Sequence, residues 1–124
     1  MDRKRFEELA EEVFASLPAE ILGHVSNAVF LVEDWPDPET LAAVGLRRRT
    51  ELLGLYQGIP LDERHLGLTG NLPDRIVLYQ NPIEIEAARS RETVAAVIYD
   101  TLVHEVGHHL GLSEEELARL EGRI

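Results

Sequence analysis

Apolar residues near the start of the chain recur at helical spacing, and acidic residues fill the opposite face. Asp2 is a suitable N-cap for this segment, and Pro18 is expected to stop it. The pattern predicts an amphipathic first helix that packs on a core. Its apolar positions are Phe6, Leu9, Ala10, Val13, Phe14 and Leu17.

Three apolar segments in the middle of the chain predict β-strands. Residues 28–32 form a continuous apolar run, which is typical of an interior strand buried on both faces. We expect a second strand at 52–57 and a third at 76–80, the third being an edge strand beside a cleft. Between them, residues 61–73 show no periodicity and predict a long loop, and long loops in compact domains are often functional.

Two shorter segments are less regular. Residues 39–44 predict a short helix closed by Gly45. Residues 83–86 alternate apolar and acidic side chains as a strand does, but a short helical linker fits them equally well. The pattern alone leaves that choice open.

The last third of the chain predicts two helices. Ser90 is a candidate N-cap for the first, which runs to Gly111. Ser113 and Glu116 have the spacing of a capping box, so a final helix should follow from Glu114 to about residue 121. The apolar side of the longer helix is marked by Val94, Val97, Ile98, Leu102, Val106 and Leu110.

The longer helix contains the pattern His-Glu-x-x-His, at residues 104–108. His104 and His108 are four residues apart, so both imidazoles project from one face and can bind a single Zn²⁺ at roughly 2.0–2.1 Å. Glu105 lies beside them, where it can take a proton from a metal-bound water. The motif therefore predicts a hydrolytic zinc site on a helix.

A third ligand is expected from the turn that follows. Gly111 can adopt the left-handed conformation that reverses the chain, and Glu114 comes three residues later. A catalytic zinc needs three protein ligands and one open position, and two histidines with one carboxylate form a known set. Glu115 and Glu116 are alternatives to Glu114, although Glu116 is expected to serve the capping box.

The full spacing, His-Glu-x-x-His-x-x-Gly-x-x-Glu, resembles the metzincin signature of zinc peptidases. Together with the short chain and the segment 72–79, it looks like the small bacterial minimal zincin group of metallopeptidases. That resemblance implies His104, His108 and Glu114 as zinc ligands and Glu105 as the general base. It also implies an α+β fold: a small zincin-like domain whose three- to four-stranded mixed sheet packs on an N-terminal helix and a long active-site helix.

The chain departs from the metzincin pattern in two respects. The only methionine is Met1, so the methionine turn beneath the metal is absent, and Glu114 replaces the usual His or Asp. No Tyr or His follows Glu114 to stabilise an oxyanion, which leaves Tyr56, His65 and Tyr79 as candidate helpers. We expect His109 to face solvent or to support the ligands, and the third strand to bind an extended peptide by strand addition.

Composition sets the remaining bounds. A chain of 124 residues fits one domain, residues 1–124, and the absence of cysteine excludes thiolate metal sites. The net charge of −11 opposes nucleic-acid binding, and the basic run 47–49 is expected to be a solvated turn or strand end. The chain shows no signal core and no apolar stretch long enough to span a membrane, so a cytoplasmic location is expected.

The favoured function is therefore a zinc-dependent metallopeptidase acting on a peptide or an unfolded protein. One alternative keeps the fold without turnover, as a zincin-like module that binds a metal or a partner. A metal-dependent ribonuclease is a weaker alternative, because the acidic surface opposes RNA binding.

Overall fold

The computed structural model describes residues 1–25, 28–58 and 74–122. The predicted loop 61–73, with the candidate helper His65, lies outside the described residues. The described residues form six helices and three strands. In chain order these are α1 (Arg3–Ala15), α2 (Ala19–Val25), β1 (Val29–Glu33), α3 (Pro38–Ala43), β2 (Gly54–Gln57), β3 (Arg75–Tyr79), α4 (Gln80–Ser90), α5 (Val94–His109) and α6 (Glu114–Leu120).

The first helix forms as its apolar spacing predicts. The Asp2 carboxylate accepts a hydrogen bond from the backbone N–H of Arg5 at 2.8 Å, which caps the helix. Phe6, Ala10 and Val13 are buried on its inner face. Helix α2 was not predicted, because a seven-residue helix contributes only two buried apolar positions to the pattern.

The sheet is mixed and has the strand order β1-β3-β2. Strand β1 pairs with β3 in parallel, and β2 pairs with β3 antiparallel. The α+β fold with a mixed sheet is thereby confirmed, at three strands among the described residues.

Two expectations about individual strands are wrong. In the sheet that the described residues form, the strand predicted as interior, β1, lies at an edge and is only partly buried, with Val29 42% exposed. The strand predicted at the edge, β3, is central. A continuous apolar run predicts a buried strand, but it does not predict which strands pair with it on either side. The strand beside the cleft is β2.

The two faces of β3 contact different parts of the core. Ile76 and Leu78 belong to the main core with helices α1, α2 and α5, whereas Val77 and Tyr79 belong to a smaller cluster with Leu41 of α3. This alternation follows from the two-residue period of a strand. Side chains on the Ile76 face are the ones directed toward α5.

The segment left open by its alternating pattern is helical. Helix α4 begins directly after β3, and Arg91, which follows its last residue, has a φ of 57° in the left-handed region. The predicted N-cap at Ser90 is wrong, since Ser90 is the last residue of α4. Thr93 caps α5 instead, and its hydroxyl accepts from the backbone N–H of Ala96 at 3.0 Å.

Helices α5 and α6 form an antiparallel pair. Gly111 has a φ of 79°, so the chain reverses where the sequence predicts. The capping box of Ser113 and Glu116 forms, which confirms the start of α6. A Cβ atom on Gly107 would lie 2.1 Å from Leu117 Cδ2, so the glycine lets Leu117 pack directly against α5. Among the described residues, no helix is long and apolar enough to cross a membrane.

Candidate metal centre

Helix α5 directs two imidazoles toward the same side of the molecule. Its inner face is anchored by Leu102, Val103 and Val106, which are fully buried. The rotation of the helix about its axis is therefore fixed by core packing. His104 and His108 lie on the partly exposed side, with ring centroids 4.9 Å apart in an edge-on arrangement.

Glu114, at the start of α6, faces both imidazoles. Its Oε1 lies 2.9 Å from His108 Nε2, and its Oε2 lies 3.6 Å from His104 Nε2. The hydrogen bond to His108 is the main cause of a lowered pKa of the Glu114 carboxyl. This carboxyl is therefore held in the ionised form that a metal ligand requires.

The three side chains fit the requirements of a metal site. One ligand atom from each of His104, His108 and Glu114 can be chosen so that all three lie within 4.8 Å of one another. A tetrahedral Zn²⁺ with bonds of about 2.0–2.2 Å places its ligand atoms roughly 3.3–3.6 Å apart, so small side-chain rotations suffice. The set of two imidazoles and one carboxylate is one that catalytic zinc uses.

The neighbouring acids on α6 have other positions. The Glu116 carboxylate accepts from the backbone N–H of Ser113 at 3.1 Å, as the capping box requires. Glu115 is exposed on the helix surface. Of the three acids considered from the sequence, the structure brings Glu114 to the imidazoles.

Glu105 lines a cleft next to His104. It is half-buried, and this burial raises the pKa of its carboxyl, while His108 and His104 act in the opposite direction. With His104 and Thr101, it lines an open cleft of about 340 Å³. A carboxylate with a raised pKa at the wall of a cleft accepts a proton more readily than an exposed one, as a general base must.

Strand β2 forms the wall of this cleft opposite α5. A Cβ atom on Gly54 would lie 2.8 Å from Thr101 Cγ2, so the absence of a side chain lets the strand lie close against the helix. Leu53 and Gly54 line the cleft together with Glu105. The backbone of an edge strand is thus beside the half-buried carboxylate.

One residue at the centre was missed from the sequence. Glu121 Oε1 lies 2.5 Å from His104 Nδ1, and the Glu121 side chain is only 1% exposed. The sequence did contain one indication of this contact, which is the spacing of Glu121 from Glu114 and Leu117. Glu114, Leu117 and Glu121 are separated by three and four residues, so they share the face of α6 that meets α5. The role of Gly107 in this approach was also missed.

The other predicted residues lie away from the cleft lining. His109 is exposed, and its ring packs on Tyr56 with centroids 4.1 Å apart, while the Tyr56 hydroxyl donates to Asp74. Tyr79 is buried on the opposite face of the sheet, and burial raises the pKa of its hydroxyl. Neither tyrosine is among the described residues that line the cleft beside Glu105.

The family model described as zincin-like metallopeptidase matches residues 25–123, which includes the sheet, α5 and α6. A comparison with curated proteins finds no match.

Proposed function

The chain belongs to the zincin-like metallopeptidase family, and from that premise we propose that it hydrolyses peptide bonds as a zinc-dependent enzyme. The observation that carries the proposal is the convergence of His104, His108 and Glu114 beside the half-buried Glu105. Metal ligands and a general base on one side of a cleft are the two components that hydrolysis of an amide needs.

Zinc is the metal that the ligand set favours. The donors are two imidazole nitrogens and one carboxylate oxygen, contributed by His104, His108 and Glu114. When bound there, Zn²⁺ would polarise the scissile carbonyl and lower the pKa of the attacking water toward about 7. Three protein ligands would leave a fourth position of a tetrahedral Zn²⁺ for water or substrate, and His104 also lines the cleft.

Glu105 acts as the general base in this proposal. Its carboxylate takes the proton from the attacking water and returns it to the nitrogen of the leaving amine. The raised pKa supports this role, because burial makes the Glu105 carboxylate a stronger proton acceptor than an exposed glutamate. Glu105 follows His104 directly on α5, which places the carboxylate beside the predicted metal ligands.

An extended peptide is the substrate that the cleft fits best. Among the described residues β2 pairs only with β3, so its outer edge can hydrogen-bond an added strand. The sequence suggested the third strand for this task, but β3 is paired on both sides. We propose that β2 holds the peptide while the scissile bond of that peptide lies against Glu105. Because the cleft is open, a flexible peptide or an unfolded protein fits better than a folded one.

The test compares metal content and peptide cleavage in three proteins. Wild type is expected to hold about one zinc per chain and to cleave members of a peptide library, with cleavage lost when a chelator removes the metal. His104→Ala should lose both zinc and cleavage. Glu105→Gln should keep zinc and lose cleavage, because the amide cannot accept the proton.

Glu115→Gln is the matched control, since it changes an exposed acid on α6 that does not face the imidazoles. It should retain both zinc and cleavage. Cleavage by Glu105→Gln at the wild-type rate would remove the proposed mechanism. Wild type that takes up no zinc from supplemented buffer would remove the proposal altogether.

A second candidate is a zincin-like module that binds metal or a partner without turnover. It is favoured by the cleft lining, where the described residues include no tyrosine or arginine to stabilise an oxyanion. The same library assay separates the two functions. Zinc-loaded wild type that leaves every peptide intact would support the module.

A further inference from the structure

We propose that Glu121 is a positioning residue, which holds His104 so that its Nε2 atom faces the metal. The inference rests on the metal site of the proposed function. His104 has a carboxylate at each ring nitrogen: Glu121 Oε1 is 2.5 Å from Nδ1, and Glu114 Oε2 is 3.6 Å from Nε2. The two nitrogens are thus assigned to different partners.

The hydrogen bond determines which nitrogen carries the proton. A neutral imidazole has one N–H, and an ionised carboxylate can only accept. In a neutral His104 ring, an ionised Glu121 would hold the proton on Nδ1, so the Nε2 lone pair would lie on the side of Glu114 and be available to a metal. A second partner of this kind also fixes the rotation of the ring and makes the coordinating nitrogen more basic.

Glu121 is itself held firmly in place. Its backbone N–H donates to the carbonyl of Leu117 at 2.9 Å, and Leu117 is fully buried against Gly107. Tyr99 of α5 donates its hydroxyl to the carbonyl of Leu120 at 3.1 Å, which ties the end of α6 to the active-site helix. The carboxylate is thereby fixed at the far side of the His104 ring.

The burial of Glu121 argues that this arrangement has a purpose beyond stability. A carboxylate that is 1% exposed costs free energy unless it is paired, and an apolar side chain would pack there at lower cost. The pairing with His104 offsets that cost, and it gives the imidazole one orientation. An exposed acid at the same helix end could not orient the ring in this way.

The first test needs no variant. Two-bond ¹H–¹⁵N correlation spectra of uniformly labelled wild type report the proton position on each histidine ring, with and without zinc. We expect the zinc-loaded protein to show His104 with the proton on Nδ1 and the metal on Nε2. A spectrum with the metal on Nδ1 and the proton on Nε2 would overturn the proposal.

The second test measures zinc affinity by competition with a chelator. Glu121→Leu replaces the carboxylate with an apolar side chain of similar size that cannot accept a hydrogen bond. This variant should bind zinc about 10–100-fold more weakly. Glu121→Gln retains an oxygen that can accept from Nδ1, so its loss should be smaller. Glu115→Gln, changed on the exposed face of α6, should bind zinc like wild type.

Wild-type zinc affinity in a folded Glu121→Leu variant would overturn the inference while leaving the proposed function intact. If His104→Ala also kept its zinc, the metal site itself would be wrong. The two failures are therefore distinguishable. Circular dichroism of each variant separates loss of the hydrogen bond from loss of the fold.

Discussion

The two halves of the candidate metal centre are built in different ways. The α5 half contributes His104, Glu105 and His108 from one rigid helix, whose opposite face is fully buried. The α6 half contributes Glu114 from the first residue of a seven-residue helix and Glu121 from the residue that follows it, and this helix packs closely on α5 through Leu117 and Gly107. The first half is positioned by helical periodicity, and the second by tertiary packing.

This difference predicts that the α6 half is the more easily disturbed. Changes that shift α6 should weaken metal binding even when the two histidines stay in place. Substitutions elsewhere that lower the free energy of unfolding by the same amount should leave zinc affinity unchanged. Each prediction below pairs a variant in α6 or its contact with a control outside it.

The largest effect is expected from Leu117→Ala. Removing a fully buried leucine should lower the free energy of unfolding by about 2–5 kcal/mol. Glu114 and Glu121 would lose their support, so zinc affinity should also fall by roughly 10-fold or more. Denaturant unfolding of the metal-free protein gives the first quantity, and chelator competition at low temperature gives the second.

Leu102→Ala is the control for this variant, because Leu102 is equally buried but lies on α5. It should cost a similar free energy of unfolding and leave the zinc affinity of the folded protein nearly unchanged. Equal losses of zinc affinity in both variants would contradict the distinction between the two halves.

A smaller effect is expected from Gly107→Ala. The added methyl would meet Leu117 Cδ2 at 2.1 Å, and overpacking of this kind costs about 1–3 kcal/mol. A gain in helix propensity of roughly 1 kcal/mol offsets part of that cost. Either the Leu117 side chain or helix α6 must shift, and a shift of α6 would move Glu114 and Glu121, so zinc affinity should fall by more than the small change in stability suggests.

Gly23→Ala is the matched control, since a Cβ atom at Gly23 of α2 would meet nothing within 4 Å. Gly23→Ala therefore changes only the helix propensity, so the variant should be slightly more stable than wild type and bind zinc with the same affinity. If Gly107→Ala behaved in the same way, Gly107 would have no role in positioning α6.

The smallest effect is expected from removal of helix caps. Ser113→Ala removes the hydroxyl that accepts from the Glu116 N–H at 3.1 Å, and Thr93→Ala removes the equivalent cap of α5. Each should lower the free energy of unfolding by about 1 kcal/mol. Only Ser113→Ala should also weaken zinc binding, because it loosens the first turn of α6, where Glu114 lies. An equal effect of Thr93→Ala on zinc would contradict this expectation.

The features that the sequence predicted well depend on residues close together in the chain. The caps at Asp2 and Ser113 and the turn at Gly111 form because each needs only its neighbours within four residues. The N-cap at Ser90 was wrong for a related reason. Both Ser90 and Thr93 are suitable caps, and the choice depended on a preceding helix, α4, that the alternating pattern did not reveal.

The order of the strands in the sheet could not be predicted from residues close together in the chain. The apolar run of β1 and that of β3 look alike in the sequence, yet one is an edge strand and the other is central. Which strands are neighbours is decided by how helices cover both faces of the sheet. That information lies in contacts between residues far apart in the chain.

The same distinction holds at the metal centre. The sequence by itself determined that His104 and His108 share a helix face, that Glu105 lies beside them and that the chain reverses at Gly111, because these follow from helical geometry and from the conformational freedom of glycine. Only the tertiary structure decided how closely α6 returns along α5. The packing of Leu117 against Gly107 sets that approach, and it brings Glu121 to the ring of His104 across 17 residues of sequence.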